Sequence, residues 1–244
     1  MDPRVSNPVL SSLNIKPEDK IIFIQENSFA DSNFIITHLI KQLLYDKSRA
    51  CVLTLHNTVE HYQNVGKKLG YDLNQAIQKG EIRIIDPMEE LVANIGLNEE
   101  DPRSRLLTCL YAALKTHIEQ FLLQKEQPVY LIIDDLSHFL DLGLGIPAII
   151  NFTNLFINLT SDKNIFAVIN SHVSSKSDLI VADSLHYICD LYISVSPLKT
   201  GKSSDVSGLM TIQRGEDENR YHFRTFDRGV KTFHPGESIY NLYK

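Results

Sequence analysis

Residues 131–138 read LIIDDLSH: Leu131, Ile132 and Ile133 run straight into Asp134 and Asp135, with Ser137 and His138 just beyond. An unbroken aliphatic run is the signature of a strand buried on both faces of a sheet. Acids at the end of such a strand are how many nucleotide hydrolases hold Mg²⁺. Whether that chemistry has its other half depends on the rest of the chain.

The flanking segments predict strands alternating with helices. Residues 21–24 (IIFI) form a short buried strand, and residues 34–45 an amphipathic helix with Ile36, Leu39, Ile40 and Leu43 at i, i+3, i+4 and i+7. A second strand covers 50–55. Thr58 then caps a helix running through Tyr62, Val65 and Leu69 to a stop at Gly70. Residues 82–85 make a third strand, closed by Asp86 and Pro87. Asp101 and Pro102 place a cap and a first-turn proline before a long helix striped by Leu107, Leu110, Leu114, Ile118 and Phe121. Residues 129–133 and 165–169 are the fourth and fifth strands, with a helix from about 147 to 159 between them. The pattern predicts an α/β fold with a mostly parallel sheet. Closely spaced strands at 191–195, 209–213, 221–226 and 230–233 predict C-terminal antiparallel hairpins.

The chain has 244 residues, 43% hydrophobic and 22% charged, enough for one sizeable core. No linker or repeat divides it, so residues 20–244 are expected to form a single domain after an N-terminal extension of residues 1–19. The net charge of −6 argues against nucleic-acid binding over the whole surface and leaves room for a local basic loop. The N-terminal stretch does not read as a secretory signal, and no apolar run approaches the roughly 18 residues of a membrane span. Cys51, Cys109 and Cys189 are scattered without C-x-x-C spacing, as expected of reduced thiols in a cytosolic or nuclear protein.

A phosphate-binding loop would lie between the first strand and first helix, with the pattern G-x-x-x-x-G-K-[ST]. Residues 26–33 read ENSFADSN, with no glycine and no lysine. Asp31 or Ser32 is expected to cap the helix, and a carboxylate there repels an incoming phosphate. The fragment at 200–203 (TGKS) lacks the upstream glycine, which would fall at Ser196, and reads as part of a hairpin loop at 197–207. With no place for phosphates, Asp134 and Asp135 are expected to bind amides of the turn that follows them rather than Mg²⁺. His138 and Asp141 match no metal spacing. His56 and His61, five apart, lie off a common helical face. Neither a catalytic residue nor a cofactor or metal site is expected.

Residues 58–87 (TVEHYQNVGKKLGYDLNQAIQKGEIRIIDP) and 131–145 (LIIDDLSHFLDLGLG) resemble the second helix, third strand and acidic strand of RecA/KaiC-type ATPase domains. More narrowly, HYQNVGKKLG at 61–70, LIIDDLSHFLDLGLGIPAIINF at 131–152 and VKTFHPG at 230–236 are similar to the family of the sixth Elongator subunit, whose members lack the ATP-binding motifs. The resemblance implies a RecA-like three-layer fold without ATPase activity. It also implies a heterohexameric ring with the fourth and fifth Elongator subunits, beside the catalytic subcomplex. That ring binds tRNA and supports wobble-uridine modification, with the cytoplasm and nucleus as expected locations and no membrane. Asp31, Ser32, Asp134 and Asp135 become positions of a degenerate nucleotide site. Lys176, Lys199 and Lys202 are candidate RNA contacts on loops. Ile149, Phe152 and Phe156 belong to a helix apolar around most of its circumference, which suits either a central core helix or a subunit interface. An active ATPase with a divergent loop, or an adaptor of a recombination-mediator complex, is the alternative.

Overall fold

A computed structural model describes residues 6–89, 102–124, 127–201 and 203–237. In chain order the elements are α1 (Pro8–Leu13), β1 (Ile21–Asn27), α2 (Asn33–Tyr45), β2 (Arg49–Leu53), α3 (Val59–Leu69), α4 (Leu73–Gln78), β3 (Ile82–Ile85) and α5 (Pro102–Gln124). They continue with β4 (Val129–Ile133), α6 (His138–Asp141), α7 (Ile146–Asn158), β5 (Ile165–Val173), α8 (Lys176–His186), β6 (Leu191–Ser196), β7 (Gly208–Arg214), β8 (Asp217–Phe226) and β9 (Gly229–Phe233). The described strands form one sheet in the order β3-β2-β4-β5-β1-β6-β7-β8-β9. It is parallel from β3 to β6 and antiparallel from β6 to β9.

The aliphatic runs are buried on both faces because the pleat divides them. Ile22, Ile24, Val52, Ile132 and Val168 face a core shared with α1 to α4. Phe23, Leu53, Leu131, Ile133 and Ile169 face a second core shared with α5 to α8. The result is three layers. Beyond β6 the coverage becomes one-sided. Ile193, Val195, Met210, Ile212 and Phe223 enter the first core, while Ser194, Thr211 and Gln213 alternate with them at half-buried positions. That alternation is how an antiparallel sheet with one wetter face reads. The β7–β8 hairpin turns at Gly215, whose φ of +55° favours glycine.

Within the N-terminal extension, Val9, Leu10 and Leu13 are buried in the first core. The Asn7 side chain caps α1, and Thr232 on β9 donates to Pro8 O at 2.9 Å. Arg214 on β7 donates to Leu13 O and Asn14 O and pairs with the buried Asp19 at 2.8 Å. The long helix also buries Leu106, which follows one i, i+4 row with Leu110, Leu114 and Ile118, while Leu107 packs half-buried against the same core. Asp101 lies outside the described residues. Finally, Ile149, Phe152 and Phe156 are wholly covered by their own chain, with Phe152 edge-on to Phe139 at 5.5 Å. Side chains so covered offer a neighbour no surface, which corrects the interface expectation in favour of the core alternative. The apolar surface left on these helices is carried by Leu123, Leu155, Leu179, Ile180 and Tyr187.

Short α4 was not anticipated from the sequence. Asp72 caps it by accepting from Gln75 N at 3.0 Å, and Leu73 and Ala76 fill the first core. Among the described residues, no helix is long and apolar enough to cross a membrane.

If the N-terminal helix is part of the core, Leu13→Ala lowers stability by about 2–5 kcal/mol. Leu123→Ala, at a position 87% exposed, changes it by less than about 0.5 kcal/mol. Urea unfolding of the two variants checks this, and equal silence would mean that α1 adds nothing to the stability of the core.

Candidate functional site

Ligands of open parallel sheets bind beyond the carboxyl ends of the strands. Here β5 lies between β1 and β4, so the loops after all three meet at one edge. The first polar residues after each apolar run are therefore neighbours in space. Glu26 and His172 are register partners on β1 and β5.

Glu26 turns its carboxylate onto the start of α2, where unpaired amides would draw a phosphate. Its Oε2 accepts from Ser32 N at 2.6 Å and lies 2.7 Å from Ser32 Oγ. Its Oε1 meets His172 Nδ1 at 2.9 Å. Asp31 takes a second amide, accepting from Asn33 N at 2.9 Å. Asp31 thus supplies the side-chain acceptor at this helix start, while Ser32 points inward and makes no cap bond. Between these residues Phe29 is 97% exposed with φ +67°, a conformation uncommon outside glycine. Two carboxylates already bind the amides and the loop has no cation, so these residues do not fit a bound nucleotide phosphate with its Mg²⁺.

Asn170 on β5 carries the network across the sheet. Ser32 Oγ lies 2.9 Å from Asn170 Oδ1, and Asn170 Nδ2 donates to Asp134 O at 2.8 Å. Asp134 was expected to bind the turn that follows it, but it reaches over to the loop after β2. Its Oδ1 accepts from Leu55 N at 2.6 Å and His56 N at 3.1 Å; its Oδ2 accepts from Asn57 N at 3.0 Å and Tyr62 OH at 3.2 Å. Asp135 does hold its own turn. Its Oδ1 accepts from Ser137 N at 3.0 Å and Ser137 Oγ at 2.7 Å, and also from His172 N at 3.0 Å on β5.

The adjacent acids are pushed in opposite directions. Burial raises the Asp134 pKa, and bonds from Asn57, Leu55, His56 and Tyr62 only partly offset it. Burial also works to raise Asp135, but the His138 side chain, the His172 amide and Ser137 outweigh it and hold that carboxyl below its usual range. His138 is raised, chiefly by its bond to Asp135. The two histidines weighed as a pair in the sequence part company: His61 Nε2 meets Asn33 Nδ2 at 2.7 Å, while His56 Nδ1 meets His138 Nε2 at 3.2 Å.

A second feature lies apart from this edge. A groove of about 410 Å³ is lined by His38, Lys41, Lys68, Arg228 and Lys231, with Phe226 and, among the described residues, no acidic side chain. The basic residues expected to meet RNA are placed differently. Lys176 is not on a loop but is the first residue of α8, whose start is fixed by the Ser175–Asp178 capping box. Lys199 is exposed on the turn after β6, and Lys202 lies outside the described residues. Glu26, Asn170 and His172 were not anticipated as site residues. The available signal was polar residues closing two otherwise apolar strands at matching register.

Residues 6–228 match the family model described as Elongation complex protein 6. The chain belongs to that family. It is 28% identical to Elongator complex protein 6 of Danio rerio, with 95% of this chain and 98% of the relative covered. The Drosophila melanogaster relative is 26% identical over 92% of this chain and 94% of its own, and that of Homo sapiens 21% over 95% and 97%. The fold is similar to the crystal structure of a KaiC-like protein from Pyrococcus horikoshii, with a TM-score of 0.63, 12% identity, and 93% of this chain and 96% of that one covered. The chain thus has a RecA-like fold.

His38 gives the groove a pH signature. Its Nδ1 bonds Phe34 O at 2.6 Å, and burial holds its pKa below 6.5, with the positive Lys41 adding to the depression and the Phe34 bond opposing it. Below pH 6.5 the unfolded chain binds a proton that the folded chain refuses, so this contribution to stability is present above 6.5 and lost as pH falls through the folded pKa. Unfolding midpoints measured between about pH 7 and about pH 5 are expected to fall less for His38→Leu than for the unaltered chain.

Proposed function

We propose that this chain is a non-catalytic RecA-like subunit of the Elongator complex, placed in its accessory heterohexameric ring with the fourth and fifth subunits. In this reading it supports tRNA binding and wobble-uridine modification, in the cytoplasm and nucleus, while the chemistry is done by the catalytic subcomplex. The observation that carries the non-catalytic reading is the Glu26 carboxylate on Ser32 N at 2.6 Å: the chain's own acid stands where a phosphate would. Asp31, Ser32, Asp134 and Asp135 then keep the positions of a nucleotide site and serve as structural hydrogen-bonding groups.

Phosphate contact by an acidic chain must be local. Lys199, Lys202 and Lys176 are one candidate set, and the groove of Lys41, Lys68 and Arg228 is a second that supports the same role. Phe29 is the side chain we expect a neighbouring subunit to cover. It is an exposed aromatic held at positive φ by a loop that has no ligand to bind.

Co-expression with the two sibling subunits and mass determination of the product tests the assignment. A mixed hexamer is expected, and ATP is not expected to bind the isolated chain. Saturable ATP binding by that chain, lost in Asp134→Ala, would favour the enzyme instead, and recovery with recombinases alone would favour the adaptor. Phe29→Ala is expected to weaken assembly without lowering the chain's own unfolding midpoint. Assembly as tight as with Phe29 would remove that residue from the interface.

A further inference from the structure

His56 and His138 are 82 residues apart, yet their rings meet edge to face with Nδ1 and Nε2 at 3.2 Å. With Asp135 they form the one grouping among the described residues able to direct histidine, cysteine or carboxylate ligand atoms at a common point, all within 4.8 Å. Zinc held at about 2.0–2.1 Å by two imidazoles at a tetrahedral angle keeps their nitrogens about 3.3 Å apart. A shared proton gives a similar separation, so the choice between the two occupants rests on what surrounds the rings.

Three features favour a cation. First, Asp135 Oδ2 stands 3.3 Å from His138 Nδ1, the nitrogen remote from His56. A carboxylate on the far nitrogen orients metal-ligating histidines and raises their basicity. Second, both ligands are anchored before any ion arrives. The amide of His56 is held by the buried Asp134, and the turn that opens α6 is held by Asp135 through Ser137. Third, His56 is exposed, which leaves the remaining coordination positions open to water or to a side chain of another chain.

We propose that His56 Nδ1 and His138 Nε2 form a binding site for a divalent transition-metal ion such as Zn²⁺, with Asp135 as the outer carboxylate. Imidazole donors suit zinc and its neighbours and not Mg²⁺ or Ca²⁺, which take oxygen ligands. The ion would tie the loop after β2 to the start of α6, joining by coordination two segments that Asp134 and Asp135 already hold by hydrogen bonds.

The test is Zn²⁺ titration of the metal-free full chain by calorimetry, with Co²⁺ absorption as a second readout. One ion is expected per chain, with loss of binding in His56→Ala and in His138→Ala and none in His61→Ala. Mg²⁺ is expected to give no signal. Asp135→Asn, which keeps an acceptor for Ser137, is expected to weaken binding about 10–100-fold. Because His56 is exposed, His56→Ala should unfold as the unaltered chain does in the absence of metal, so lost binding cannot be lost fold. The site is overturned if no saturable Zn²⁺ uptake occurs below about 1 mM, or if His56→Ala binds as well as the unaltered chain.

Discussion

A carboxylate can be buried only when hydrogen bonds replace the water it gives up, and a lone one costs several kcal/mol. Asp134 meets that condition at the centre of the sheet's carboxyl edge. It accepts from three successive amides and a tyrosine hydroxyl, all on the far side of β2. Without it the amides of Leu55, His56 and Asn57 in the loop after β2 would lose their side-chain acceptor. The start of α3, the seat of Tyr62 and the placement of His56 all follow from that one side chain. Asn170 then joins Asp134 to the first loop, so the edge behaves as one hydrogen-bonded unit from His172 to Tyr62.

The same edge satisfies the helix amides that a nucleotide-binding scaffold would turn toward a phosphate. Helix amides left bare at α2 would be expensive, and no glycine loop is present to bring a ligand to them. Glu26 and Asp31 satisfy them from within the chain. The negative charge at this helix start is carried by the chain's own side chains.

Most of the architecture was legible because strand and helix periods are local. Every strand from β1 to β9 is visible as an aliphatic or alternating run, and the switch from fully apolar to alternating marks where the sheet turns antiparallel. What was hidden depended on distance in sequence or on short length. Six-residue α1 and α4 are too brief for a period to declare itself. The α7 helix reads as apolar nearly all round, which cannot distinguish its own core from a neighbour's surface; only packing against Phe139 decides it. Asp134 was visible as a strand-end acid, but its partners at Leu55–Asn57 become neighbours only through the pairing of β2 with β4. His56 and His138 are brought together in the same way.

The position of β1 has a consequence for how the chain is made. Its neighbours are β5 and β6, so Ile21 waits for Ala167 and Ile22 for Leu191 before either edge is paired. The seat of α1 waits longer still, for Thr232 on β9. During synthesis an apolar strand with two open edges emerges early and stays unpaired until most of the chain has followed. Non-local pairing of this kind is slow and exposes strand edges to aggregation. Residues 21–24 are thus an apolar segment whose native neighbours on both sides are made long after it.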